Sequence, residues 1–331
     1  MVTGAKATIN AGLAAILLGV IAWAAALGPV LAADEGWPRT IQTLKGPLKL
    51  ERAPQRIVST SVTLTGTLLA INAPVIASGA THPNSRIADG QGFLTQWGDI
   101  ARQRQVSVLY QSLPNAEAVA ANAPDLIIIA ATGGDSALAL YDQLSVIAPT
   151  LLINYDDKSW QQLAVQLGEA TGHELDAANT ISAFEQRVSK VKASMTLPPQ
   201  PVSAFVYQED GKGANLWTSA SAQGRLLEEL GFSLAPVPES VRGNHSMGQR
   251  KDIVQIGGEN MASGLAGNTW LLFSADQSSV EALKKNRFLA QQPAVRRQHV
   301  YAMGKDTFRL DYYSAGNLLD RLEAQFVRQS H

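Results

Sequence analysis

From Glu174 to Ser194 the chain carries no proline and no glycine, while Ile181, Phe184, Val188 and Val191 recur every three or four residues. Such a stretch points to a single amphipathic helix, roughly 32 Å long at 1.5 Å per residue. Pro198-Pro199 stops it. On either side the pattern is different. RIVST at 56–60 reads as a short strand, VTLTGTLLAI at 62–71 as a helix, and 75–78 as a strand again. DLIIIAATGG at 125–134 is an apolar run ending in two glycines, the pattern of a strand buried on both faces. A helix over 136–147, closed by Pro149, leads to a strand in TLLINY at 150–155. Past the long helix the alternation restarts: VSAFVY at 202–207, a helix over 221–232, TWLLFSA at 269–275, a helix over 280–285, and HVYAM at 299–303. A last helix over 311–326 sets Ala315, Leu318, Leu319, Leu322 and Phe326 on one stripe. Strand–helix–strand repetition predicts parallel sheets. The expected fold is α/β: two Rossmann-like lobes with parallel sheets, 33–157 and 198–331, joined by a helical stretch, 158–197, that contains the long interlobe helix. Lobes tied this way rock only a little, and the cleft between them suits capture of a small molecule.

The first residues are unlike the rest. Lys6 is the only charge before Asp34, and 11–32 reads AGLAAILLGVIAWAAALGPVLA. This predicts a secretory signal over 1–32, cleaved after Ala32, with an uncleaved membrane anchor as the alternative. The expected product is exported. The formal net charge of −1 gives no sign of a nucleic-acid binder, and the absence of cysteine removes disulfides, thiol catalysis and Cys–metal sites.

Catalytic patterns are weak. No G-x-S-x-G occurs, and the nearest approach, Gly134-Asp135-Ser136, lacks the closing glycine. There is no H-E-x-x-H, and His82, His173, His245, His299 and His331 stand singly, each expected as a surface or loop residue and not a metal ligand. Gly133-Gly134 has no G-K-[ST] after it and reads as a tight strand-to-helix turn. A binding protein is expected, not an enzyme, with no cofactor.

The basic residues say more by position. Arg86 lies in THPNSRIADG after a strand, Arg309 in TFRLDYY between a strand and the last helix, and Trp217 in ANLWTS after the first strand of the second lobe. Loops at the carboxyl ends of parallel strands form the crevice of such sheets. Arginines converging from two lobes suit a multiply charged anion, because guanidinium is always charged and binds oxygens through a planar fork. Trp217 reads equally as a stacking face beside them or as a packing residue. Arg242, Arg250 and Lys251 share the stretch 240–251, and Arg242 and Arg250 join the candidate ligand residues on that position.

Longer segments carry a resemblance. RIVSTSVTLTGTLLAI, APVIASGAT, PDLIIIAATGGDSALALYDQLSVIAPTLLINYDDKSW, PPQPVSAFVY, ANLWT and TFRLDYYSAGNLLDRL resemble the periplasmic ferric-enterobactin-binding proteins of enteric bacteria. These belong to the helical-backbone class (class III) of ABC-transporter substrate-binding proteins. The resemblance implies two α/β lobes on a rigid interlobe helix, a monomer, and a periplasmic location. It implies ferric enterobactin as the ligand, handed to an inner-membrane permease and ATPase. A neighbouring catecholate siderophore is the first alternative and a secreted siderophore-ester hydrolase the second. In that family a tryptophan and arginines from both lobes line the site, and Trp217, Arg86 and Arg309 stand at the matching positions. The match is weaker at 240–251 and at 102–104, where Arg242, Arg250, Arg102 and Arg104 stand in different local sequence. A ferric tris-catecholate is a trianion whose metal is saturated by catecholate oxygens, so the resemblance implies cations and aromatic faces in the site and no iron ligand from the protein. Members of the class also present one exposed acid on each lobe to arginines of the permease. Glu117, in PNAEAVAANAPDLII, and Glu259, in GGENMASGLAGNTWLLF, stand in comparable settings.

Overall fold

The structure, a computed structural model, describes residue 1 and residues 36–208, 212–242 and 251–327. Apart from residue 1, the expected signal segment lies outside the described residues, as does Arg250. A hairpin comes first, β1 (Arg39–Thr43) antiparallel to β2 (Gly46–Leu50). The first sheet holds β3 (Ile57–Ser59), β4 (Val75–Ala80), β5 (Ser107–Gln111), β6 (Leu126–Ala130) and β7 (Thr150–Ile153). Its order is β5-β4-β3-β6-β7, and every pair is parallel. The chain enters at β3, works outward to β5, then returns to the other side of β3. Strand order therefore reverses between β3 and β6, where a crevice opens in sheets of this kind. All of β6 is buried, as its apolar run predicts. Pleating divides it: Leu126, Ile128 and Ala130 face the core between the lobes, Ile127 and Ile129 the core on the outer face.

The second sheet holds β8 (Val202–Tyr207), β9 (Gly213–Trp217), β10 (Ile253–Gly257), β11 (Thr269–Leu272) and β12 (Val300–Ala302), in the order β10-β9-β8-β11-β12. The expected parallel sheet is corrected here. β8, β11 and β12 are parallel, but β9 runs antiparallel to both β8 and β10. The connection decides it: five residues separate Tyr207 from Gly213, enough for a hairpin and short of the roughly dozen that a parallel crossover needs.

The long helix spans Glu174–Ser194, the bounds read from its missing breakers. It is fixed to the first lobe where the Asn72 amide donates to Asp176 (2.8 Å) and the Thr180 hydroxyl to the Ala70 carbonyl (3.1 Å). It is fixed to the second where Arg187 pairs with Asp320 and with Glu323 (3.1 Å). Other helices share the task. Val62–Ala70 and Trp160–Thr171 of the first lobe and Tyr312–Phe326 of the second pack with it in one layer, and a single apolar core runs through them from one sheet to the other. Trp160 lies edge-on to Phe184 of the long helix (5.1 Å) and to Tyr312 of the last (5.6 Å). Gly66 marks a close approach of the two lobes: a Cβ there would stand 2.7 Å from both the Asp311 carboxylate and the Trp97 ring. Resistance to interlobe movement thus rests on a shared, close-packed core as well as on the connecting helix.

Candidate functional site

The carboxyl ends of all five strands of the first sheet open on one cavity of about 410 Å³ between the lobes. Thr60 follows β3, Thr81 follows β4, Ser112 follows β5, Asp135 lies beyond β6 and Tyr155 beyond β7. Lys305, Phe308 and Arg309, on the segment after β12, face them from the second lobe. Asp135 accepts from the Tyr155 hydroxyl at 2.7 Å, from the Thr63 backbone N–H at 3.0 Å, and from the Ser61 hydroxyl. Thr63 is in the first turn of the Val62–Ala70 helix, whose N-terminus favours a negative group. The turn that delivers Asp135 requires Gly133: its φ is +86°, and a Cβ there would stand 1.7 Å from the Tyr155 hydroxyl. Burial, then the Asp135 carboxylate, pushes the Tyr155 hydroxyl above the usual tyrosine range. Burial does the same to Tyr110, whose hydroxyl donates to the Thr60 carbonyl at 2.9 Å. Both tyrosines stay protonated near pH 7. Ser61 donates straight to Asp135 and accepts from the Leu64 N–H as a helix cap, with no histidine between, unlike a nucleophile relay.

A second compartment of about 360 Å³ adjoins the first, and Leu94, Gln96, Tyr155, Phe308 and Arg309 line both. Trp217, Arg225, Lys158 and Lys251 line only the second. Its wall includes Ser221 and Asp311, the N-caps of the helices Ala222–Glu229 and Tyr312–Phe326. With Val62–Ala70, three helix N-termini meet at the cleft and lend it partial positive charge. Arg309 crosses between the lobes: its guanidinium carbon is 4.6 Å from the centre of the Tyr155 ring and Nη1 is 3.3 Å from Asp156. No group of three or more His, Cys, Asp or Glu side chains placed to hold a metal occurs among the described residues. The cleft can hold an anionic, partly aromatic molecule.

The sequence pattern of the family described as "Periplasmic binding protein" matches residues 57–307, which takes in both sheets. The chain belongs to the periplasmic binding protein family. This binding protein is 59% identical over 300 residues to "Ferric enterobactin-binding periplasmic protein FepB" of Escherichia coli O6:H1 (strain CFT073), a match covering 91% of this chain and 94% of that one. It is 26% identical over 290 residues to "Fe(3+) dicitrate-binding periplasmic protein FecB" of Escherichia coli K12, covering 85% of this chain and 87% of the relative. Among solved structures, holo-ViuP superposes with a TM-score of 0.78 at 35% identity, covering 88% of this chain and 96% of ViuP.

In this binding protein the expected ligand residues are placed unequally. Arg309 lines both compartments. Trp217 is the last residue of β9, not part of a loop after a parallel strand. Its place in the strand's alternation puts it on the inner face of the sheet, 6% exposed, edge-on to Phe308 (5.6 Å) and Phe273 (6.4 Å). It both packs and lines the second compartment, and its indole N–H has no hydrogen-bond partner among the described residues. Arg86 lines neither compartment and reaches across to the Ser274 carbonyl of the second lobe at 3.4 Å. Arg242 also lies outside both, paired with Glu239 at 3.1 Å. Arg102 pairs with Asp89 and Asp99, and Arg104 donates to the Leu69 carbonyl and the Asn72 side chain, both at 2.8 Å, so each braces its own lobe. Glu117, in the first turn of the helix Ala116–Ala121, and Glu259, in the 3₁₀ turn Gly258–Asn260, are exposed, one on each lobe. Sequence reasoning passed over Tyr110, Asp135, Tyr155 and Lys305, and set His82 aside as an ordinary loop residue, yet all five line the first cavity. A usable signal existed, since Asp135 and Tyr155 each stand just past an apolar strand run.

Proposed function

We propose that this chain is a periplasmic carrier that captures ferric enterobactin in the interlobe cleft and hands it to an inner-membrane ABC permease and its ATPase for iron uptake. The observation that carries this reading is the 59% identity over 300 residues to FepB, a protein named for that ligand. The geometry of the cleft supports it. A ferric tris-catecholate is a bulky trianion with its iron already saturated, so the carrier has to offer charge and aromatic surface. Arg309 and Lys305 on the second lobe, the latter also paired with Asp276 at 2.6 Å, and the N-terminus of the helix Ala222–Glu229 supply the first, while Arg86 spans the lobes to the Ser274 carbonyl. Trp217, Phe308 and the protonated Tyr155 supply the second. Each charge-assisted hydrogen bond to the ligand contributes about 1.5–3 kcal/mol. Glu117 and Glu259 are the acids proposed to meet permease arginines, one from each lobe, steering the encounter by charge.

Titrating tryptophan emission with ferric enterobactin, its linear and glucosylated forms and ferric dicitrate tests the reading. Ferric enterobactin is expected to bind tightest and to be recovered intact by mass spectrometry. Preference for ferric dicitrate, or a ligand cleaved in proportion to protein and time, would overturn it.

A further inference from the structure

We propose that Arg225 is a third guanidinium of the ligand site, and that it makes the compartment beneath Trp217 the subsite for one anionic aromatic arm of the ligand. This rests on the carrier reading above. Arg225 is the fourth residue of the helix Ala222–Glu229 and lines the second compartment. A cation there works against the helix dipole, which favours acids in the first turn, and this helix has none. Side chains on a helix tilt toward its N-terminus, so the guanidinium lies back over the first turn, where Nη1 donates to the Ala220 carbonyl at 2.6 Å. Gly224 lets that turn seat closely, since a Cβ on it would stand 2.0 Å from the Thr218 carbonyl.

Arg225 is exposed, and most acids around it have partners elsewhere: Asp252, which lines the same compartment, has one, while Glu229, one turn along the helix, borders a neighbouring hollow with Arg225 and makes no ion pair with it. Asp156 pairs with Arg309 and Asp157 with Lys158. Asp311 accepts from Ser314 and Gln96. Glu228, on the same helix, accepts from Ser219. Arg225 itself makes no ion pair among the described residues. An unpaired guanidinium placed against its helix dipole thus shares a compartment with the ring of Trp217, whose indole N–H is buried and has no acceptor among the described residues. Trp217 and Phe308 supply ring faces in the same space. An aromatic arm bearing anionic oxygens suits this space, with the oxygens toward Arg225 and the ring against the faces of Trp217 and Phe308.

The test is calorimetric titration of wild type, Arg225→Ala, Arg225→Gln and Arg225→Lys with ferric enterobactin at low and high salt, with melting temperatures alongside. Arg225→Ala and Arg225→Gln are expected to weaken binding about tenfold at low salt. Both should also bind with a shallower salt dependence than wild type, because one screened charge is gone. Arg225→Lys should recover part of the loss but not all, since the fork is missing. The Gln variant keeps a donor for the Ala220 carbonyl, so it reads charge even if the Ala variant unfolds. Wild-type affinity and salt slope in the Gln variant would overturn the assignment of Arg225 and leave the carrier reading standing. Failure of the wild-type protein to bind ferric enterobactin would overturn both.

Discussion

The two walls of the cleft are built by different means and carry different chemistry. The first-lobe wall comes from the carboxyl ends of five parallel strands and is lined by neutral hydroxyls: Thr60, Thr63, Ser112, Tyr110 and Tyr155. Its one acid in the first compartment, Asp135, is satisfied by that lobe's own donors, and Asp156 and Asp157 at the second are paired with Arg309 and Lys158. The second-lobe wall comes from a sheet with one reversed strand and carries Lys305, Arg309, Arg225 and Lys251 beside Trp217 and Phe308. Shape and neutral hydrogen bonding therefore fall mainly to the first lobe, charge and ring faces mainly to the second. The division is not complete, because Arg86 and Arg309 each reach from their own lobe to the other.

Five experiments break or sharpen that contrast. The largest effect is expected where the lobes are treated alike, at the permease. Glu117→Lys with Glu259→Lys should abolish uptake of ferric enterobactin into cells while leaving ligand affinity intact. Normal uptake by the double variant removes both acids from the interface.

Next comes the pair that crosses the cleft. Loss of Arg86 or Arg309 to Ala should each cost about tenfold in affinity, or ~1.4 kcal/mol, and the double change more than either. Equilibrium titration reads this directly, and wild-type affinity in the double variant would move the site elsewhere.

Asp135→Ala tests the claim that the first-lobe acid serves structure. It strands the Ser61 and Tyr155 hydroxyls and the Thr63 N–H, so stability should fall by about 1–3 kcal/mol in denaturant melts. Affinity should stay within fivefold. A large affinity loss at unchanged stability would make Asp135 a ligand residue.

Trp217→Phe keeps a ring in the second wall and removes the indole. Affinity should drop only a few-fold, while ligand-induced quenching of emission should shrink sharply. Undiminished quenching would assign the signal to another tryptophan.

The smallest effect belongs to the seam between the lobes. Burial holds the Asp311 carboxyl above the usual carboxylate range. The native state thus keeps this proton more tightly than the unfolded chain does. Stability falls as pH rises from about 4, the ordinary value, through the raised one. Asp311→Asn retains a cap acceptor and removes the charge. Its melting temperature should be flatter across that window and higher than wild type above it, and an unchanged pH slope would show that another group is responsible.

Much of the fold was legible because it rests on local pattern. The missing breakers gave the Glu174–Ser194 helix its full length, and VSAFVY its strand, β8, residue for residue. The apolar run before Gly133-Gly134 was rightly read as a strand buried on both faces. Strands β1, β2, β5, β9 and β10 escaped notice. GANLW, for instance, carries no alternation, and its pairing is set by a short connection and a distant partner. The same gap explains the site. Arg309 was readable from a loop position, but Asp135 and Tyr155 act only because Gly133 and the helix start at Ser61 bring them together.

By itself the sequence determined the α/β class, the two lobes, the long connecting helix and the supply of arginines near strand ends. All of these follow from the spacing of apolar residues, breakers and charges along one chain. Only the tertiary structure decided which cations face the cleft and which brace a lobe, that β9, which ends at Trp217, runs backward, and that one core passes through both lobes. Those outcomes depend on which side chains meet across long separations. Burial, ion pairing and close approach, as at Gly66 against Asp311, are properties of such meetings and not of any segment alone.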